Sequence, residues 1–243
     1  ILAAVLGLHS KSAPKYGSEK SGAPTNFYLT LSPEPIKITN AQLEEVEIVI
    51  CPDHKVFEHT NPLNGLVEGG TFIMQSGQNP REVWQELPKH ARETLRERNI
   101  HFLIVDAFGV ARRHAPSPDL KVRMMNVVFN GALCAHDERI RQGTIGEDLL
   151  EKIQQQVNKK FGAKGPEVVR SNMLVLKEGM ESTQEVDYRL PEFTDIIPSD
   201  EETEEIGLKL SAEMGIHGHS PDYAGLGDAG YFNAFLLLDA GYP

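Results

Sequence analysis

Residues 47–52 read EIVICP: one acidic residue, four apolar ones, then a proline. An apolar run closed by a breaker is the pattern of a strand buried on both faces, as in a parallel sheet, although periodicity alone does not prove it. The same pattern returns twice downstream. In GLVEGGTFIMQSG, residues 65–77, a Gly-Gly turn is followed by the strand TFIM, and in NIHFLIVDA, residues 99–107, the strand runs from Ile100 to Val105. Upstream, FYLTL at 27–31 is rich in β-formers, and the prolines of SPEPI then remove ladder donors.

Helical patterns fill the intervals. NPREVWQELPKHARETLRERN, residues 79–99, offers Asn79 as an N-cap and Pro80 at the first helical position, and Pro88 should interrupt or restart the helix. KVRMMNVVFNGALCAH, residues 121–136, is apolar almost all round, as a buried helix would be. In TIGEDLLEKIQQQVNKKFG, Thr144 and Glu147 have capping-box spacing; Ile145, Leu149, Ile153 and Val157 share a face, and Gly162 stops the helix. PEVVRSNMLVLKEGM, residues 166–180, is a further helix. Strands alternating with helices predict an α/β fold, a mainly parallel sheet flanked by helices, over residues 1–185. From 186 to 243 the pattern changes to an extended tail, an acidic-started helix at 200–215 and a Gly-rich aromatic end. That region is expected to be a connector, or an extended and helical arm that packs on a partner.

Composition bounds the possibilities. The chain has 243 residues, 40% hydrophobic and 24% charged, enough for a packed core. Its formal net charge of -11 argues against a nucleic-acid surface while leaving room for a local positive patch. The longest apolar runs, FLIV and AFLLL, are far too short to cross a bilayer as a helix. No secretory leader pattern is visible, and ILAAVLGLHS reads as the second half of a helix, so the natural start is expected upstream and the location cytoplasmic. Cys51 and Cys134 suit a reducing compartment and two buried thiols; an iron–sulfur cluster usually takes four cysteines.

Several segments carry residues of chemical interest. APKYGSEKSGAPT, residues 13–25, sets lysines and hydroxyls on a glycine-hinged loop, which fits either a solvated loop or a phosphate cradle. The spacing of a Walker loop or of a dinucleotide fingerprint is absent. His217, His219, Asp222 and Asp228 are turn residues or a weak metal cluster. Cys51, Asp53 and His54 stand at a strand end, as a buried thiol with a turn or as a nucleophile pair. Arg123 and Asn126, three apart near a helix start, share a face that suits an anion or an ordinary salt bridge. Trp84, the only tryptophan, is read as core.

The order of these pieces resembles a known family. YGSEKSGAPTNFYLTLSPEPI, EIVICPDHKVFEH, GLVEGGTFIMQS, NIHFLIVDA, KVRMMNVVFNGAL and FGAKGPEVVRSNMLVLKEGM follow one another as in the gamma subunit, or gamma domain, of the 2-oxoacid:ferredoxin oxidoreductases, with pyruvate:ferredoxin oxidoreductase the nearest look. The resemblance covers about residues 1–185. It implies a component of an enzyme that interconverts a 2-oxoacid plus coenzyme A with acyl-CoA plus carbon dioxide, passing electrons to ferredoxin. It implies no catalytic residue and no metal ligand here. Thiamine diphosphate, Mg2+ and [4Fe-4S] clusters are expected on partner subunits or domains, with no nucleic-acid or membrane partner. Residue by residue, it places Tyr16, Ser18, Lys20, Arg123 and Asn126 near coenzyme A. Glu19 departs from the pattern, standing where the pyruvate enzymes often have a second lysine, and the family's glycine-rich first strand is absent. The alternative it leaves open is a noncatalytic structural subunit of a related complex, of 2-oxoglutarate type or of an oxalate type without coenzyme A.

Overall fold

The structure, a computed structural model, describes residues 1–15, 24–37, 43–58, 60–137, 140, 147–193 and 232–239. Three parallel strands form its centre: β3 (Val46–Cys51), β4 (Leu66–Gln75) and β5 (His101–Val105), with Ile48 beside Thr71 and Thr71 beside His101. Two antiparallel strands, β1 (His9–Lys15) and β2 (Pro24–Ser32), extend one side, and the two-residue β6 (Gln184–Glu185) adds antiparallel to β5 on the other. β7 (Phe232–Asp239) joins the two groups, antiparallel to β2 and parallel to β3. The sheet order is therefore β1-β2-β7-β3-β4-β5-β6.

The apolar runs are explained by burial on both faces of the sheet. Alternate residues of a strand point to opposite sides. Ile48, Ile50, Ile73, Leu103 and Val105 enter one core; Val49, Cys51, Phe72, Met74, Phe102 and Ile104 enter the other. The first core is covered by α1 (Leu2–Leu6), α4 (Ala107–His114), α5 (Lys121–His136), α6 (Glu147–Phe161) and α7 (Pro166–Ser182). The second is covered by α2 (Pro80–Glu86) and α3 (Lys89–Glu97), and by residues that follow β6. With both faces covered, neither side of a central strand can be polar without losing burial worth about 25 cal/mol per Å².

Local signals act where the sequence places them. Pro88 divides the 79–99 segment into α2 and α3. Asn79 caps α2: its Oδ1 accepts from the amides of Arg81 and Glu82 at 3.1 and 3.0 Å, while its own amide donates to the Glu82 carboxylate at 3.1 Å. For α6, Thr144 and the start of its expected capping box lie outside the described residues, but Leu149, Ile153 and Val157 are buried on one face as expected. α5 is mostly apolar because it is pressed between the sheet and α7, with Met124, Met125, Val127, Val128 and Phe129 buried. Its crossing with α7 depends on two glycines. A Cβ at Gly131 would stand 2.2 Å from the Leu176 carbonyl oxygen, and one at Gly179 would stand 2.5 Å from that of Val128.

Elements not foreseen are β1, α4 and β7. In the region 186–243, Val186, Tyr188 and Phe193 are buried against α2 and α3, and β7 takes a place inside the sheet. The helix expected at 200–215 lies outside the described residues. Among the described residues, no helix is long and apolar enough to cross a membrane.

Candidate functional site

The carboxyl ends of β3, β4 and β5 gather the loops in which α/β folds place ligands. The end of β3 is built for packing. Cys51 is fully buried, its thiol donates to the Asp53 carbonyl at 3.1 Å, and burial pushes its pKa well up, so it is not poised as a thiolate. The Asp53 carboxylate accepts from the Lys55 amide at 2.9 Å and shapes the turn. Cys134, on α5, is likewise buried, and burial with nearby Asp137 pushes it to about 12.

The ends of β4 and β5 are tied together by Asp106, whose role the sequence reading missed. Asp106 is the N-cap of α4: its Oδ1 accepts from the Gly109 amide at 2.8 Å, and Gln75 Nε2 lies 3.5 Å away. Gln75 returns the connection by accepting from the Phe108 amide at 3.0 Å. Gly109 is required by proximity, since a Cβ there would lie 1.8 Å from the Asp106 carboxylate. An aspartate directly after an apolar run and before a helix is the local signal that could have revealed it. At its other end α4 is clasped to α7. Arg113 Nε donates to Glu178 Oε1 at 2.9 Å, and His114 Nε2 shares a hydrogen bond with Glu178 Oε2. Burial opposes ionisation of Glu178, but the bonds from His114 and Arg113 outweigh it and hold the carboxyl below its usual range.

Arg123 and Asn126 fall on the first turns of α5, both exposed, on one face with Val122. The helix start around them is unusual. Leu120 at the N-cap makes no side-chain cap, and the first turn has no acidic residue but carries Lys121 and Arg123. The Lys121 amide donates to the Pro118 carbonyl, and the positive end of the helix dipole together with two cations suits an anion. Among the described residues, neither the Arg123 nor the Asn126 side chain has a hydrogen-bond or ion-pair partner, although the Asn126 carbonyl accepts from Asn130. Tyr16, Ser18, Glu19 and Lys20 stand between β1 and β2 in the sequence, outside the described residues, as do His217, His219, Asp222 and Asp228. Among the described residues, no group of three or more His, Cys, Asp or Glu side chains is placed to hold a metal ion.

The model of the pyruvate ferredoxin/flavodoxin oxidoreductase family matches residues 1–182. The chain belongs to that family. Within this oxidoreductase family, the chain is 27% identical over 178 residues to the pyruvate-flavodoxin oxidoreductase of Nostoc sp., covering 73% of this chain and 14% of that protein. It is 22% identical over 173 residues to the pyruvate:ferredoxin oxidoreductase of Moorella thermoacetica, covering 71% of this chain and 14% of that one. The chain thus spans about a seventh of the length of these curated relatives. Among solved structures, the pyruvate oxidoreductase subunit PORC of Thermotoga maritima matches with a TM-score of 0.49 at 20% identity, over 75% of this chain and 84% of that one. The family match takes in β1 to β5 and α1 to α7, and all five candidate coenzyme A residues lie within it.

Proposed function

We propose that this chain is the gamma-type component of a thiamine-diphosphate-dependent pyruvate:ferredoxin or pyruvate:flavodoxin oxidoreductase. In the assembled enzyme, pyruvate and coenzyme A are interconverted with acetyl-CoA and carbon dioxide, and the electrons pass to ferredoxin or flavodoxin. The observation that carries this reading is the family match over residues 1–182. Thiamine diphosphate with its Mg2+ supplies carbanion chemistry when bound, and clusters carry electrons; both belong to partner subunits or domains. Cluster ligation does not fit this chain's thiols, because Cys51 and Cys134 are both buried and belong to cores on opposite faces of the sheet.

The part assigned to this chain is to hold coenzyme A and help close the active site. The uncapped, cationic start of α5 with exposed Arg123 and Asn126 supports an anion contact. Lys20, Ser18 and Tyr16 would supply the other side. Lys20→Ala in the full-length enzyme tests it: loss of a charge-assisted contact, worth roughly 1.5–3 kcal/mol, raises the KM for coenzyme A by about tenfold or more with the KM for pyruvate unchanged. An unchanged KM for coenzyme A rejects the contact. Glu19 favours the second reading, a structural component of a related complex without coenzyme A contact, because it puts a negative charge beside the ligand. Under that reading Lys20→Ala leaves the kinetics unaltered.

A further inference from the structure

One turn of α7 holds both ends of the segment that carries Arg123. At one end, Glu178 accepts from Arg113 Nε at 2.9 Å and shares a hydrogen bond with His114 Nε2, which fixes the last turn of α4. At the other, Gly179, the next residue of α7, brings its backbone against α5: a Cβ there would lie 2.5 Å from the Val128 carbonyl oxygen and 3.0 Å from the Val128 Cα. Arg123 stands between these two anchors, nine residues after His114 and five before Val128.

The link between α4 and α5 has little slack. It runs from Ala115 to Leu120 and contains Pro116 and Pro118, whose rings fix φ and restrict the residues before them. The Ala115 amide donates to the Ala111 carbonyl at 2.9 Å, so the ladder of α4 reaches the first residue of the link. Pro118–Leu120 is a 3-10 turn that leads directly into α5, with the Leu120 amide donating to the Ser117 carbonyl at 3.1 Å. Ala115 and Leu120 both pack on the first core. Glu178, the end of α4, the proline link, the start of α5, Val128 and Gly179 therefore close a ring. Packed joints of this kind transmit strain rather than absorb it. The joint at Gly179 is backbone against backbone, whereas the joint at Glu178 is a partly exposed side chain on two basic partners. A charge-assisted contact needs its donor held to within about 0.5 Å, and Arg123 can have that only if the start of α5 is fixed. We propose that Glu178 is a positioning residue for the coenzyme A contact, acting through α4 and the proline link to set where α5 presents Arg123. This rests on the reading of Arg123 as a coenzyme A contact. The Glu178 carboxylate is spent on Arg113 and His114, so its effect on the ligand passes through Arg123.

The test is steady-state kinetics on the full-length enzyme carrying Glu178→Ala, Glu178→Gln, Arg123→Ala, or Glu178→Ala together with Arg123→Ala. Glu178→Ala is expected to raise the KM for coenzyme A by about threefold, a part of the roughly tenfold rise expected for Arg123→Ala, with kcat and the KM for pyruvate unmoved. Glu178→Gln keeps one acceptor and should give a smaller rise; it decides the matter if Glu178→Ala does not assemble. On the Arg123→Ala background, Glu178→Ala should add nothing, because a positioning residue works only through the group it positions. If Arg123→Ala raises that KM and neither Glu178 variant does, the positioning role is overturned while the coenzyme A contact stands. If Arg123→Ala leaves it unchanged, the contact itself fails and the positioning role with it. A fall in kcat at constant KM, or a rise that multiplies with that of Arg123→Ala, assigns Glu178 a merely structural part and also overturns the proposal.

Discussion

The indole of Trp84 and the ring of Tyr188 stack at 4.9 Å with their planes 11° apart, although 104 positions separate them in the chain. The Tyr188 hydroxyl is shared between the carbonyls of Ile100 and Leu95, at 2.6 and 2.8 Å, so the segment after β6 is locked to the start of β5 and the end of α3. On the other side of this pair, the Arg189 guanidinium lies 5.0 Å from the Tyr188 ring centre.

Tyr188→Phe keeps the stack and removes the hydroxyl from two buried carbonyls. The expected cost is about 1–2 kcal/mol, and Tyr188→Ala should cost about 3–5 kcal/mol because the stack and its buried area go too. Burial raises the Tyr188 pKa, with Arg189 opposing. A raised folded-state value means that this contribution is complete below the usual tyrosine range and is lost as pH rises through the raised folded-state value. Urea midpoints of wild type and Tyr188→Phe, compared at neutral and alkaline pH, check both statements. Parallel pH curves would contradict the second.

Gly131→Ala forces α5 and α7 apart, because the added methyl meets backbone at 2.2 Å and not the end of a flexible side chain. The expected loss is about 3 kcal/mol, at the upper end for overpacking. Gly162→Ala is the control: a Cβ there meets nothing within 4 Å, so its midpoint should move by about 0.5 kcal/mol or less.

Glu178→Gln loosens the clasp between α4 and α7 by about 1 kcal/mol at neutral pH, the upper range for a partly exposed pair. Because the bonds from His114 and Arg113 hold Glu178 below its usual range, against the opposing effect of burial, its contribution is present above the unfolded-state value. It disappears as pH falls through the depressed folded-state value. Thermal melts across the carboxylate range should show the two proteins converging at the acidic end; a constant gap would speak against the clasp.

Asp106→Ala removes the cap of α4 and the tie to Gln75, for an expected loss of about 1–2 kcal/mol, whereas Asp106→Asn retains an acceptor and should lose less than half of that. Chemical denaturation of the two variants separates the acceptor from the charge.

Arg123→Ala in the full-length enzyme should raise the KM for coenzyme A by about tenfold and leave the KM for pyruvate alone, while Lys152, a cation already paired with Asp148 on α6, serves as a control in Lys152→Ala. Steady-state kinetics with each substrate varied in turn decide it; equal effects of the two variants would remove Arg123 from the site.

The sequence by itself determined the central architecture, because the information there is local. Runs such as EIVICP and HFLIV report burial on both faces, Pro88 breaks a helix wherever that helix packs, and Asn79 with Glu82 builds its cap from neighbouring residues. The exposed pair Arg123 and Asn126 was legible for the same reason, since helical spacing alone puts them on one face. Tertiary structure decided what depends on partners distant in the chain. HSKSAPK is too polar to announce a strand, and becomes β1 only because β2 offers a ladder from Ser32 to Asn26. FNAFLLLD becomes β7 through pairing with residues some 200 positions earlier in β2 and β3. Glu178 finds Arg113 and His114 across 65 and 64 positions, and Arg92 is left buried beside Trp84 with its Nη2 unpartnered among the described residues. Such contacts follow from how layers close over the sheet, and no local pattern encodes which side chain will meet which.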